Sequence, residues 1–147
     1  MNIGPDGIEL IKSYEKCRLV AYKPTPDDVW TCGWGSTKGV TETTVWTAEE
    51  ADEHFLQDIQ WVENCVNKAV KVDITQREFD ALCALCFNIG CPRFTTSTLV
   101  RELNLGHWDA ACKHFLDWTR QDGQVIQGLV NRRIAELKLF QTPCSAS

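Results

Sequence analysis

Hydrophobic and polar positions along the chain follow two different periods, and the switches between them outline the elements. Between residues 6 and 16, Ile8, Ile11 and Tyr14, with Leu10 beside them, recur at the spacing of one helical face, and Pro5 and Asp6 suit its first turn. From Arg18 to about Thr44 β-formers (Leu19, Val20, Tyr22, Val29, Trp30, Thr31, Trp34) are interrupted by Pro24-Thr25-Pro26-Asp27-Asp28 and then by Gly33, Gly35 and Gly39. That pattern predicts a small antiparallel sheet with a proline-rich turn. Thr47-Ala48-Glu49-Glu50 is a capping box, and Ala51, Phe55, Ile59, Val62 and Val66 carry one helical face onward for about twenty residues. A second box, Thr75-Gln76-Arg77-Glu78, opens a helix whose positions Phe79, Leu82, Cys83, Cys86 and Phe87 read as fully buried, ended by Gly90 and Pro92. Further helices are expected at Ser97–Leu105, Trp108–Thr119 and Ile126–Phe140.

These elements predict an α+β, predominantly helical fold in a single domain. A small N-terminal lobe, about 1–60, carries a β-hairpin or sheet, and a long helix joins it to an all-helical C-terminal lobe, about 61–143. Residues 144–147 read as a frayed tail. A cleft between two such lobes is where ligands usually bind.

With 147 residues, 44% hydrophobic and 24% charged, the chain has the composition of a compact globular protein. At this length folding buries roughly 70% of the unfolded surface, so the core needs no metal or disulfide staple. The longest apolar run, Ala81–Phe87, falls far short of the roughly 20 residues that span a bilayer. The first residues carry no basic start, apolar stretch or small-residue cleavage site, so a protein made and kept in the cytoplasm is expected. In that setting the eight cysteines are expected to be free thiols, mostly buried. Cys83-x2-Cys86 followed by Cys91 lacks the second pair or nearby histidine that a zinc site needs, so no metal or other cofactor is expected. The formal charge is −5, with the acidity concentrated in the first sixty residues, and no basic stripe offers a footprint for nucleic acid.

Titratable groups collect in the N-terminal part: Glu15 at a helix end, then Asp27, Asp28 and Thr31 on or before the next strand. Two carboxyls flanking a cleft fit glycosidic hydrolysis, in which one acid protonates the leaving oxygen and one carboxylate activates water. Packing near Tyr14, Leu19 and Trp34 would desolvate Glu15 and favour it as the acid, while Asp27 and Asp28 in a polar turn stay ionised. The plainer alternative is a solvated helix-end glutamate and ordinary turn aspartates. Trp30 and Trp34 are placed to stack on sugar faces, whereas Trp61, Trp108 and Trp118 read as core.

The segments Gly7-Ile8-x2-Ile11-Lys12-x2-Glu15-x2-Arg18-Leu19-x-Ala21-Tyr22 and Val29-Trp30-Thr31-x-Gly33-Trp34-Gly35-x-Thr37 resemble the active-site stretch of the phage-type lysozymes, muramidase endolysins of glycoside hydrolase family 24. The resemblance continues through Thr75-Gln76-x2-Phe79-Asp80-Ala81-Leu82, Phe87-Asn88-Ile89-Gly90, Phe94-x2-Ser97-Thr98-Leu99 and Gly128-Leu129-x2-Arg132-Arg133-x2-Glu136. It implies a bilobal lysozyme-like domain that hydrolyses the β(1,4) bond between N-acetylmuramic acid and N-acetylglucosamine in peptidoglycan. Glu15 then matches the general acid and Thr31 the threonine that holds the attacking water. Phe87 and Asn88 fall where the second lobe meets the sugar chain, although Asn88 beside Gly90 equally suits a helix terminus. Arg132 matches a basic residue that braces Glu15, with Arg133 adjacent as the other possibility.

Two positions depart from the family pattern. The turn Lys23–Asp28 is one residue longer, so the usual second catalytic position falls on Pro24 counted from Tyr22, or on Thr25 counted from Thr31. Either Asp27 or Asp28 takes the carboxylate role, or Thr25 positions water and Glu15 acts alone. Ser36 stands where the family commonly has a histidine. The resemblance also implies release to the wall from the host cytoplasm by a membrane-permeabilising holin, no membrane insertion, and a monomer. A lytic transglycosylase on the same bond and an inactive wall-binding module are the rival readings.

Overall fold

A computed structural model of the chain describes residues 1–144. The tail expected at 144–147 therefore lies, apart from an exposed Cys144, outside the described residues. The fold is predominantly helical with small antiparallel sheets, in the order α1 (Pro5–Tyr14), β1 (Arg18–Tyr22), β2 (Thr31–Gly33), α2 (Ala48–Ala69), α3 (Gln76–Ile89), α4 (Cys91–Thr95), α5 (Thr98–Asn104), α6 (Trp108–Lys113), a 3-10 turn (His114–Asp117), β3 (Arg120–Gln121), β4 (Gln124–Val125) and α7 (Gln127–Gln141). The chain divides into two compact units. One is Lys12–Trp61; the other is made of Met1–Ile11 and the chain from Val62 on.

In the unit Lys12–Trp61, β1 and β2 pair antiparallel with Arg18 opposite Gly33 and Tyr22 opposite Thr31, and the register slips between these pairs. The segment 44–46 widens the sheet: the Ala21 amide donates to the Thr44 carbonyl at 2.9 Å and the Trp46 amide to the Leu19 carbonyl at 2.8 Å. The capping box that opens α2 forms as expected, with the Glu50 amide on Thr47 Oγ1 and the Thr47 amide on Glu50 Oε1, both at 3.1 Å. Cys32, Ala51, Phe55 and Ile59 are buried on the inner side of this arrangement.

In the other unit the first residues are stitched to the start of α3. The Gly4 amide donates to Asp80 Oδ1 at 2.8 Å and Gln76 Nε2 to the Asn2 carbonyl at 2.8 Å. Gly7 permits this approach: a Cβ there would come within 2.6 Å of Ile3 and 2.9 Å of the Asp80 side chain. These contacts explain why residues 1–11 pack with the later chain. The Thr75–Glu78 box also forms, and Phe79–Cys86 of α3 are buried throughout. Around α3 lie Phe94, Leu99, Leu103, Phe115 and Phe140 from α4, α5, the 3-10 turn and α7.

Three expectations need correction. The Trp108–Thr119 helix stops at Lys113 and tightens into the 3-10 turn, after which Arg120–Val125 folds into a two-residue hairpin. Its tip, Asp122-Gly123, has φ of 52° and 80°, the left-handed pair that an Asp-Gly turn favours. Trp61 and Trp108 are not core but surface residues, 46% and 37% exposed; Lys38 Nζ covers the Trp61 ring at 4.3 Å and Trp108 stacks on Phe140 at 5.5 Å.

The cysteines are not all free. Cys65 of α2 and Cys91 at the head of α4 form a disulfide across a Cα–Cα distance of 6.0 Å, while Cys17 and Cys144 are exposed thiols. Cys83 and Cys86 do lie in the core, and burial pushes the Cys86 thiol up to about 12. Closing a loop over a separation of 26 residues is worth about 3.5 kcal/mol on chain-entropy grounds. Urea unfolding with and without dithiothreitol is expected to show a loss of that order on reduction; unchanged midpoints would contradict the bridge.

Candidate active site

Glu15 follows the last residue of α1, where the chain leaves the helix before entering β1, and it is half-buried. Its carboxylate lies against the glycine turn that follows β2. A Cβ on Gly35 would stand 2.9 Å from Glu15 Oε2 and 3.2 Å from its Cδ, and Gly35 has φ of +91°. The positive φ favours glycine, and a side chain there would push the Glu15 carboxylate from its place. Tyr14 and Leu19, expected to desolvate Glu15, are 38% and 39% exposed. Tyr22 completes the surroundings: burial raises its phenol, and the Glu15 charge pushes it further in the same direction.

The turn is held shut by reciprocal amide bonds between Cys32 and Ser36, both at 2.9 Å. Ser36 Oγ donates to Asp58 Oδ2 at 2.5 Å, and burial of Asp58 raises its carboxyl, an effect the Ser36 hydroxyl partly offsets. This brace from α2 stands at the position where the resemblance implied a lost histidine. The sequence carried no signal for it, since a serine and an aspartate 22 residues apart are ordinary surface residues until the fold pairs them.

Thr31 is buried opposite Tyr22 on β2, and its hydroxyl donates to the Val29 carbonyl at 3.1 Å, leaving oxygen lone pairs to accept from a water. In the proline turn Thr25 and Asp28 form one unit. The Asp28 amide donates to the Thr25 carbonyl at 3.0 Å, and Thr25 Oγ1 donates to Asp28 Oδ2 at 2.8 Å. Pro26 at the second position of this four-residue turn explains its closure. Asp27 and Asp28 are exposed and Thr25 half-buried. Trp34 is tied into the unit, its Nε1 on Asp52 Oδ1 at 2.8 Å and its ring 4.7 Å from Lys12 Nζ.

The remaining candidates belong to the other unit. Phe87 and Asn88 are half-buried in the last turn of α3. Arg132 and Arg133 on α7 are both buried; Arg133 holds Glu136 with Nε 2.7 Å from Oε1 and Nη2 2.9 Å from Oε2, and Arg132 Nε is 3.7 Å from Oε2. Among the described residues no cluster of histidines, cysteines and carboxylates is placed to hold a metal ion.

The sequence model described as "Phage lysozyme" matches residues 12–136, a span that includes Glu15, the glycine turn and the α7 arginines. The chain belongs to the phage lysozyme family. This phage lysozyme is 40% identical over 146 residues to the endolysin of Acyrthosiphon pisum secondary endosymbiont phage 1, covering 97% of this chain and 99% of that one. It is 41% identical to the endolysin of Bacillus phage PZA, where it spans only 56% of the relative's length. Among solved structures the muramidase domain of SpmX from Asticaccaulis excentricus superposes with a TM-score of 0.87 at 38% identity, covering 97% of this chain and 99% of that one.

Substituting Gly35 tests the wall behind Glu15. Gly35→Ala is expected to cost about tenfold or more in wall-lytic rate, because the added methyl must displace the acid and strain a left-handed backbone. A turbidity assay on cell walls measures it, and parental activity in a folded variant would contradict the placement.

Proposed function

We propose that this phage lysozyme hydrolyses the β(1,4) bond between N-acetylmuramic acid and N-acetylglucosamine, with Glu15 as general acid. By family it is a cell-wall-degrading endolysin, and peptidoglycan is its substrate. The observation that supports the finer reading is the Glu15 carboxylate seated against Gly35 in the glycine turn that follows β2.

In this mechanism Glu15 gives its proton to the leaving glucosamine oxygen as the bond to the muramic C1 breaks. Water adds to C1. Thr25 Oγ1 accepts the water's proton while passing its own to Asp28, and Thr31 accepts a hydrogen bond that orients the water. The Thr25–Asp28 bond supports this division of labour over one in which Asp27 is the base. Asp28→Asn is then expected to lower kcat about 10²-fold with KM little changed, and Asp27→Asn to leave both near the parent. Steady-state rates on purified peptidoglycan separate the two, and equal losses from both variants would contradict the pairing.

A second reading has its own support: the turn carboxylates are exposed, so Glu15 acting alone would close the muramic acid on its own hydroxyl, the lytic transglycosylase outcome. No helix among the described residues is long and apolar enough to cross a membrane. From its membership of the endolysin family we also propose storage in the host cytoplasm, access to the wall through a holin-type permeabiliser, and action as a monomer. The bond cleaved is tested by digesting purified peptidoglycan and measuring new reducing sugars against new free amines. Reducing sugars alone are expected; free amines would place the cut in the peptide.

A further inference from the structure

In the unit that continues from Val62, an open cavity of about 520 Å³ lies over the Cys65–Cys91 disulfide, and its wall carries three cations, Lys68, Lys71 and Arg101, and no acid. Arg101, whose side chain is exposed, has its own neighbour Glu102, half-buried, as an ion-pair partner at 3.9 Å. Among the described residues Lys68 and Lys71 have no carboxylate partner. The chain as a whole carries a formal charge of −5, so this concentration of positive charge runs against its composition.

The wall is also rigid. Asn104 Nδ2 donates to the Ala69 carbonyl at 2.9 Å while its Oδ1 accepts from the Lys71 amide at 2.7 Å, which ties the end of α5, carrying Arg101, to the end of α2, carrying Lys68. The disulfide fixes α2 to α4 on the floor, and Thr95 Oγ1 stands 3.5 Å from Cys65 Sγ. Three like charges around one concavity favour the entry of an anion between them. The cavity's size falls in the range that takes a small ligand or a segment of a polymer.

We propose that this cavity is an anion-binding site, separate from the Glu15 site, for a multiply charged oxyanion, with phosphate or carboxylate groups as the two possible sources. Inorganic phosphate and citrate stand for these sources in amide NMR titrations of the full chain, against sodium chloride at matched ionic strength. Saturable shifts confined to residues 68–71 and 95–104 are expected with one or both anions: phosphate alone assigns a phosphate source, citrate alone a carboxylate source, both a site that reads charge. The exposed double variant Lys68→Gln/Arg101→Gln is expected to weaken binding about fivefold or more, the scale of exposed charge contacts, and Lys71→Gln to weaken it less. Equal shifts with chloride, or binding unchanged in the variants, would overturn the proposal. Because the readout needs no catalysis, failure of the Glu15 mechanism would leave this result unaffected.

Discussion

Glu15→Gln is expected to lower the rate of wall hydrolysis by about 10²- to 10⁴-fold while leaving the unfolding midpoint near that of the parent. Glutamine keeps the shape of the side chain and so keeps its packing against Gly35, but it has no proton to deliver to the leaving oxygen. The loss should fall on kcat, because the proton moves only as the bond breaks. Far-ultraviolet circular dichroism and thermal unfolding alongside the rate assay separate a chemical defect from a folding one. A variant that stays folded and lyses walls at the parental rate would remove Glu15 from the mechanism.

Arg133→Met is expected to destabilise the fold by about 3–5 kcal/mol at pH 8, a large part of the total stability of a domain this size. Arg133 and Glu136 are both fully buried, and the guanidinium meets both carboxylate oxygens at 2.7 and 2.9 Å. Burial pushes the Glu136 carboxyl up to about 7 even though Arg133 pulls it down. Without the arginine the group moves higher still, so the native state holds its proton well above the pH at which the unfolded chain releases it. Stability then falls as pH rises from the unfolded value, about 4.3, through the folded one. The variant should therefore lose less at pH 5 than at pH 8, which urea unfolding at the two values measures. Equal losses would mean that Glu136 does not titrate with folding.

The parts of this fold that were legible in the sequence are those written in local physics. Both capping boxes, Thr47–Glu50 and Thr75–Glu78, open helices where they were expected, because each needs only residues three apart. The sheet around Glu15 was readable from its β-formers and glycines. Elements too short to display a period were missed: α4 is five residues long, and the hairpin at Asp122-Gly123 falls in the stretch 120–125 left unassigned between two expected helices. Contacts made by the fold alone were beyond reach. The Cys65–Cys91 bridge, the Ser36–Asp58 brace and the stitching of Gly4 to Asp80 join residues 26, 22 and 76 apart, and no spacing rule connects them.

The site shows the same division. Glu15 and Thr31 stand out by residue type and by resemblance, but the sequence left Thr25, Asp27 and Asp28 as three open choices in one turn. Our proposal pairs Thr25 with Asp28 on their hydrogen bond, a contact that depends on how Pro26 closes the turn and not on composition.

Mass spectrometry of the fragments released from purified peptidoglycan by the parent and by Glu15→Gln tests hydrolysis by Glu15 most directly. Muramic acid ends that have gained water, made by the parent and absent with the variant, are the expected result. Anhydro-muramic ends from the parent, or water-added ends from the variant at the parental rate, would contradict it.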